Sequence, residues 1–393
     1  MKKFLRVFRT EEEYLEYTAS TEFNLNSVSR CREGSLVFFN PESCGSQVIH
    51  RTISGETYCD GYDKRVYIYK QVSYDDGVTW ETTATTSSLI EKDSEDCGYT
   101  PPTQYDIINK VYSNDSSSPT KIVNITNNFS EVEIDGVVQP SVESAYTLDY
   151  GEHTVKYKLT GTSIASRAFY GCSRIKTSTI ANNITSIGSD AFNSCSGLIS
   201  ITIPDSVTAI GYSAFENCSS LTSAAISDSV TSIGDFIFSN CTSLTSCTIG
   251  SGITAIYNST FSGCYRLKNI TIPNNIRSIG SFAFMSCTSL TSVTIPDSVT
   301  VIGWGAFKDC SSLTSVTIGD NITTISYGAL QNCSSLRSIT IEATVPPTLE
   351  NDVFDNTNNC PIYVPCDSVD AYKAATKWST YVSRIQAIPG SCT

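Results

Sequence analysis

The sequence predicts a mainly β protein: a solenoid of stacked coils with parallel strands, preceded by small antiparallel β units. Three observations predict it. Cysteine recurs every 23 residues from Cys172 to Cys333 without drift. Apolar residues keep fixed offsets from each of those cysteines. Period-2 alternation opens every unit, which is the pattern of a strand with one buried face.

A fixed period of this length is the mark of a repeat architecture. The register is Cys172, Cys195, Cys218, Cys241, Cys264, Cys287, Cys310 and Cys333. Three residues before each stands Phe169, Phe192, Phe215, Phe238, Phe261, Phe284 or Phe307, and finally Leu330. Three after stands Ile175 and then an unbroken leucine series from Leu198 to Leu336. Eight after stands isoleucine in every unit, from Ile180 to Ile341.

One unit, Leu198 to Ser220, reads LISITIPDSVTAIGYSAFENCSS. Its opening fits the L-x-x-L-x-L strand of leucine-rich repeats, and 23 lies within their range of about 20–29. Alternation places Ile201 and Ile203 inward and Ser200 and Thr202 outward. Pro204-Asp205 marks the turn that ends the strand. Val207, Ile210 and Phe215 supply apolar contacts from the return path. Gly211, in frame with Gly188, Gly234, Gly280 and Gly303, is expected to serve a tight bend. One coil is too thin to bury its own apolar face, so neighbours must stack into a continuous core.

The pattern I-T-I-P-x-S-V-T-x-I-G-x-x-A-F-x-x-C-x-x-L resembles the BspA-like leucine-rich repeats found on surface proteins of bacteria and some protists. The match spans residues 164–345. The resemblance implies the fold, and a binding or adhesion role rather than an enzymatic one. It names no target.

Eight stacked cysteines invite a metal or redox reading. Zinc needs four converging ligands at tight spacing, and one cysteine per coil does not converge. Each cysteine is therefore expected to act as a small buried hydrophobe. Cys247, at the inward position of Ile201, Ile270 and Val293, is expected in the core too. The outward strand positions form a neutral strip. Its candidate binding residues are Thr202, Thr248, Asn269, Thr271, Thr294, Thr317 and Thr340, with serines between them. This strip lacks the aromatic and arginine anchors that dominate binding energy. A second candidate surface is an aromatic edge after the bend: Tyr212, Phe236, Tyr257, Phe282, Trp304 and Tyr327. The same aromatics also suit covering the gap between neighbouring coil corners.

Four regions follow along the chain. Residues 1–103 form a β-rich anchoring unit with strand-like SLVFFN, RVYIYKQVSY and VTWETT. Within it, Ser73 to Trp80 resembles the Asp-box hairpin of sialidase-type propellers. That motif is structural and occurs here once, so it implies a hairpin and not a sialidase. Cys31, Cys44, Cys59 and Cys97 suit free or paired thiols better than metal, given their wide spacing. Asp60, Asp63, Asp75, Asp76 and Asp93 have no EF-hand spacing. Residues 104–163 read as a small β domain, with strands in KIVNITN, EVEIDGVVQP, AYTLDYG and HTVKYKL, that caps the solenoid. Residues 164–345 are the repeats, and 346–393 a C-terminal cap. In the cap, Ile362-Tyr363-Val364 is a last strand. Asp367 or Ser368 is placed to cap a helix running through Lys377, with Val369, Tyr372 and Trp378 on its apolar side. A disulfide between Cys360 and Cys366 is open but not demanded.

Composition bounds the function. The 393 residues carry 39 acids against 26 bases, a net charge of −13. Most of that acid lies in residues 1–163, while the repeats are nearly neutral. Bulk phosphate attraction is excluded, and with it a nucleic-acid partner. Only His50 and His153 are available for histidine catalysis, and no nucleophile motif is present. No cofactor or metal site is expected, and no apolar run reaches the roughly 18–20 residues of a membrane span. The start, MKKFLRVFRTEEEYLEY, has no apolar h-region of a secretory signal. The sequence therefore points to a non-catalytic binding or adhesion protein that presents its repeats to a host-surface protein or glycan. It would be made in the cytoplasm and carried as an appendage or fibre of a phage virion. The N-terminal unit would dock to other assembly proteins, and a homo-oligomer is compatible. The alternatives are a BspA-like adhesin on a bacterial or protist cell surface, and a purely structural virion decoration protein.

Overall fold

The computed structural model describes residues 105–392 continuously and, before them, the strands Val28–Arg30, Val37–Phe39, Ile49–Asp60, Asp63–Ser73 and Glu81–Glu91. Two compact units are present, Met1–Thr103 and Gln104–Thr393.

In the first unit the three long strands form an antiparallel sheet in chain order. The two short strands pair antiparallel. The Asp-box-like motif falls between Asp63–Ser73 and Glu81–Glu91, which pair with each other. Residues 74–80 themselves lie outside the described residues. So do the side chains of the four cysteines and five aspartates singled out above.

The second unit opens with antiparallel strands that run into the first coil. Ile107–Ser113, which the sequence reading did not single out, pairs with Gly151–Leu159 on one side and with Ile175–Ile180 on the other. Ile175–Ile180 then pairs in parallel with Ser200–Thr202 of the next coil. One six-stranded sheet therefore spans residues 107–202 and changes from antiparallel to parallel pairing within it. Phe129 and Tyr157 pack on Phe169, the first ring of the phenylalanine column, at centroid distances of 5.6 and 5.2 Å. Asp106, nearly buried, accepts from the Leu159 amide at 2.6 Å and from the Asn183 side chain.

The repeats build two parallel ladders, because each coil holds a second short strand that alternation alone did not reveal. The first ladder carries the S-x-T-I strands, such as Ser292–Ile295 on Ser315–Ile318 on Ser338–Ile341. The second carries two-residue strands after the P-D-S-V turn, such as Ala209–Ile210 on Ser232–Ile233. The turn closes with Val207 N–H donating to the Pro204 carbonyl at 3.1 Å. Between the ladders runs the column Phe169 to Phe307. Successive rings stack at 4.8 to 5.8 Å with interplanar angles of 5 to 18°. Every ring in it is fully buried.

Three sequence expectations change. The in-frame glycines do not adopt positive φ. A Cβ at Gly188, Gly211 or Gly234 would instead lie 2.4–2.5 Å from a backbone nitrogen of the preceding coil. These glycines serve close coil-to-coil approach. The left-handed positions fall elsewhere, at the residue before each ladder cysteine (Asn217, Asn240, Asn332) and four residues earlier (Ser213, Phe236, Phe282). Next, Ile201 and Ile203 face the core but are only half-buried. Their ladder neighbour Ala224 is smaller than the Ile, Val or Cys of other coils and covers less. Lastly, Asn269 and Thr271 were expected on a strand, yet residues 267–273 form none. Lys and Asn are poor strand formers, and Lys268-Asn269 replaces the Thr-Ser of neighbouring coils.

The cap also departs from expectation. Ile362–Val364 is a strand, but it pairs in parallel with a further strand, Ile385–Ala387. The helix does not run through Lys377. It covers Val369–Ala374, stops with Ala375 extended, and a 3-10 turn follows at Trp378–Tyr381. On one continuous helix Tyr372 and Trp378 would point roughly 120° apart. The break lets both be buried, with ring centroids 4.9 Å apart. Ser368 makes no capping bond and donates to the Thr344 carbonyl at 2.8 Å. The disulfide is Cys366–Cys392; Cys360 is a buried free thiol.

Candidate binding face

The strand face is built by alternation. Leu, Ile and Val point into the core, and Ser and Thr point out. Ser200, Thr202, Ser246, Thr248, Asn269, Thr271, Ser292 and Thr294 are exposed, while Thr317 and Thr340 are half-buried. Coils repeat at about 4.8 Å and outward residues along a strand at about 6.6 Å, so the face is a grid of hydroxyls.

Not all hydroxyls of the solenoid are available. Three of the threonines just before the strands are committed to the preceding coil. Thr222, Thr245 and Thr314 each donate to a carbonyl 23 residues earlier, at 3.2, 3.0 and 2.9 Å. Thr208, Thr300 and Thr323 do the same beside the second ladder, at 3.3, 3.2 and 2.9 Å. The side chains of Thr202, Thr248, Asn269, Thr271, Thr294, Thr317 and Thr340 form no hydrogen bond within the described residues. Those donors and acceptors face outward.

The aromatic edge divides into two clusters rather than one stripe. Tyr212 packs on Phe236 at 5.2 Å. Some coils later Trp304 packs on Tyr327 at 5.6 Å, and the Phe282 ring occupies the space that a side chain at Gly305 would need. Between the clusters the same column is polar: the Asn258 amide donates to Asp235 at 2.9 Å and the Ser281 amide to Asn258 at 2.8 Å. Tyr257 stands in the glycine column, a position apart. Tyr212, Tyr257, Trp304 and Tyr327 are exposed; Phe236 and Phe282 are half-buried. Glu350, which the sequence reading passed over, accepts from the Trp304 indole at 3.2 Å and the Tyr327 amide at 2.8 Å. Its offset of 23 from Tyr327 was the available signal. Asp352 beside the Tyr327 hydroxyl raises that hydroxyl's pKa.

The ladder cysteines are all buried. From Cys195 to Cys333 each thiol donates to the carbonyl of the phenylalanine 26 residues earlier, at 3.1–3.3 Å. Cysteine thus combines small apolar volume with one weak donor where a buried carbonyl needs it. Burial pushes the thiols from Cys172 to Cys310 up, to about 12 at Cys172 and Cys247, so their nucleophilic thiolate is suppressed. His153 is held between Asp135 at 2.7 Å and the Asp149 carbonyl at 2.8 Å. Burial opposes its protonation, but these two acceptors outweigh it and raise its pKa. Among the described residues no group of three His, Cys, Asp or Glu is placed to hold a metal, and no helix is long and apolar enough to cross a membrane.

The BspA type leucine-rich-repeat region matches in six copies, over residues 162–279 and 254–375. No curated protein matches the chain. Solved structures similar to it include a leucine-rich-repeat protein of T. pallidum, at 27% identity over 47% of this chain and 84% of that one, with a TM-score of 0.38. A leucine-rich cell surface protein of Faecalibacterium prausnitzii is similar at 22% identity over 86% and 100%, TM-score 0.28. The pneumococcal vaccine antigen PcpA is similar at 18% over 57% and 75%, TM-score 0.30. The 23-residue register, the two parallel ladders and a match over more than half of its length show that the chain belongs to the BspA-type leucine-rich-repeat family.

Proposed function

We propose that this protein is a non-catalytic adhesion protein that presents the strand face of its solenoid, outside the cell, to a host-surface protein or glycan. The observation that carries this reading is the division of the hydroxyls. Those between coils are consumed by the fold, while those on the face from Thr202 to Thr294 are exposed and uncommitted. An extended grid of donors and acceptors suits a polyhydroxylated or peptide ligand bound through many modest contacts. Family membership supports a binding role. The Cys366–Cys392 disulfide supports an oxidising location.

Binding of the purified chain to intact cells and to a glycan array tests the reading. Binding that is lost when Thr248, Thr271 and Thr294 are replaced by bulky Gln is the expected result. Absence of binding to both panels would overturn it. Display on a virion would use the same face, and immunodetection in envelope and particle fractions separates the two sites of display.

A further inference from the structure

In a repeat array, equivalent positions have equivalent surroundings, so packing alone asks for the same residue in each coil. Exposed departures from the repeat therefore single out positions that serve something other than packing. One internal coil departs most. After the ladder cysteine the surrounding coils read CSSLTS, CTSLTS, CTSLTS and CSSLTS, at Cys218, Cys241, Cys287 and Cys310. The coil at Cys264 reads CYRLKN. Tyr265, Arg266, Lys268 and Asn269 replace small hydroxyl residues, and all four are exposed. Leu267 between them stays fully buried.

The charge is local. Residues 236–296 contain Arg266, Lys268 and Arg277 and no acid, in a chain of net charge −13. None of these three bases makes an ion pair or side-chain hydrogen bond among the described residues. The backbone departs at the same place. The Lys268 amide reaches the Thr245 carbonyl at 3.4 Å and the Thr291 amide reaches Lys268 at 3.3 Å, against 2.8–3.1 Å for the same link in other coils (Ile199 to Lys176, Thr222 to Ile199, Thr245 to Thr222, Thr314 to Thr291, Arg337 to Thr314). Asn269, Ile270 and Thr271 form no backbone hydrogen bond among the described residues. The positive coil therefore also offers unused main-chain donors and acceptors.

Resting on the adhesion reading, we infer that this coil is the anion-recognising subsite of the strand face, and that its ligand is an acidic polysaccharide. The guanidinium of Arg266 and the ammonium of Lys268 bind the carboxylate or sulfate groups, the guanidinium by paired hydrogen bonds. Tyr265 offers a flat ring to the sugar, and Asn269 and Thr271 bind its hydroxyls. On either side Ser246, Thr248, Ser292 and Thr294 continue the hydroxyl grid for neighbouring sugars along the chain. A polysaccharide fits better than an acidic peptide because the cationic spot is small and its surroundings are neutral and hydroxyl-rich. A patch for a polyacidic peptide would carry bases across several coils.

The test measures binding of the full chain to four polymers: a sulfated glycosaminoglycan, a polyuronate, neutral dextran and polyglutamate. The sulfated and carboxylated polysaccharides are expected to bind, the better of the two identifying the anion, with affinity falling as salt screens the pair. The substitution Arg266→Ser with Lys268→Thr restores the repeat consensus and is expected to weaken binding about tenfold or more with an unchanged melting curve. Copying the motif one coil on, by Thr288→Tyr, Ser289→Arg and Thr291→Lys, is expected to strengthen it. Unchanged binding in both variants would overturn the inference, and so would polyglutamate binding as tightly as the polysaccharides. If the chain binds cells but none of the acidic polysaccharides, the subsite fails and the adhesion reading stands. If it binds neither, both fail.

Discussion

The coils from Cys172 to Cys333 and the cap after Pro347 bury apolar surface by opposite means. In the coils one solution is copied. Each thiol from Cys195 to Cys333, and each of the pre-strand threonines Thr222, Thr245 and Thr314, finds its partner in the preceding coil. Such a structure cannot end itself, because its last coil exposes a ring, a row of carbonyls and an unfilled core. The cap closes it with side chains used once. The Tyr372 hydroxyl donates to the Ala343 carbonyl at 2.8 Å, the Trp378 indole to Pro347 at 2.8 Å, and Arg384 to the Cys360 carbonyl at 2.8 Å and the Thr357 hydroxyl at 2.9 Å. Long side chains reach back about one coil to carbonyls that a further coil would have satisfied. Repetition is thus tolerant within and vulnerable at the end.

The largest expected effect breaks that end. Trp378→Ala removes a fully buried ring and its bond to Pro347, costing about 3–5 kcal/mol. Hydrogen exchange should show protection lost first in Ser338–Val364 and last near Phe215. Uniform loss along the solenoid would mean that coils and cap form one cooperative unit. Reduction of Cys366–Cys392, which closes 26 residues of chain, should cost about 2–4 kcal/mol. A differential melt with and without reductant should show the effect at the cap and leave the coils unchanged. Gly211→Ala probes the coils. A Cβ there meets the Ser189 nitrogen at 2.4 Å, and urea unfolding should show a loss of about 1–3 kcal/mol. The smallest effect is Cys218→Ala, about 1 kcal/mol for one weak donor to the Phe192 carbonyl. Thiol titration before and after unfolding should find the ladder cysteines unreactive in the native protein and free in the unfolded one.

Legibility followed regularity. The period, the inward columns of Phe, Cys, Leu and Ile, and the outward hydroxyls could all be read because each is repeated. The candidate face was legible for the same reason, although nothing in the sequence showed the bond by which Thr222 is spent between coils. Single-copy features were read less well. Ile107–Ser113 has no repeat to mark it, yet it joins the antiparallel strands to the first coil. The helix break at Ala375 follows from the demand to bury Tyr372 and Trp378 together, which no local propensity expresses.

The sequence by itself determined a solenoid of 23-residue coils, its core columns and the chemical character of its exposed face, because alternation and period fix which side chains share a surface. Tertiary structure alone decided how close the coils come, which cysteines pair and where the ladder opens. Coil spacing explains the glycines through backbone contact and not through φ. Placement at the cap joins Cys366 to Cys392 and leaves Cys360 beside Arg384. Pairing partners, absent at Asn269–Thr271, turn one irregular coil into a place where charge and free backbone coincide.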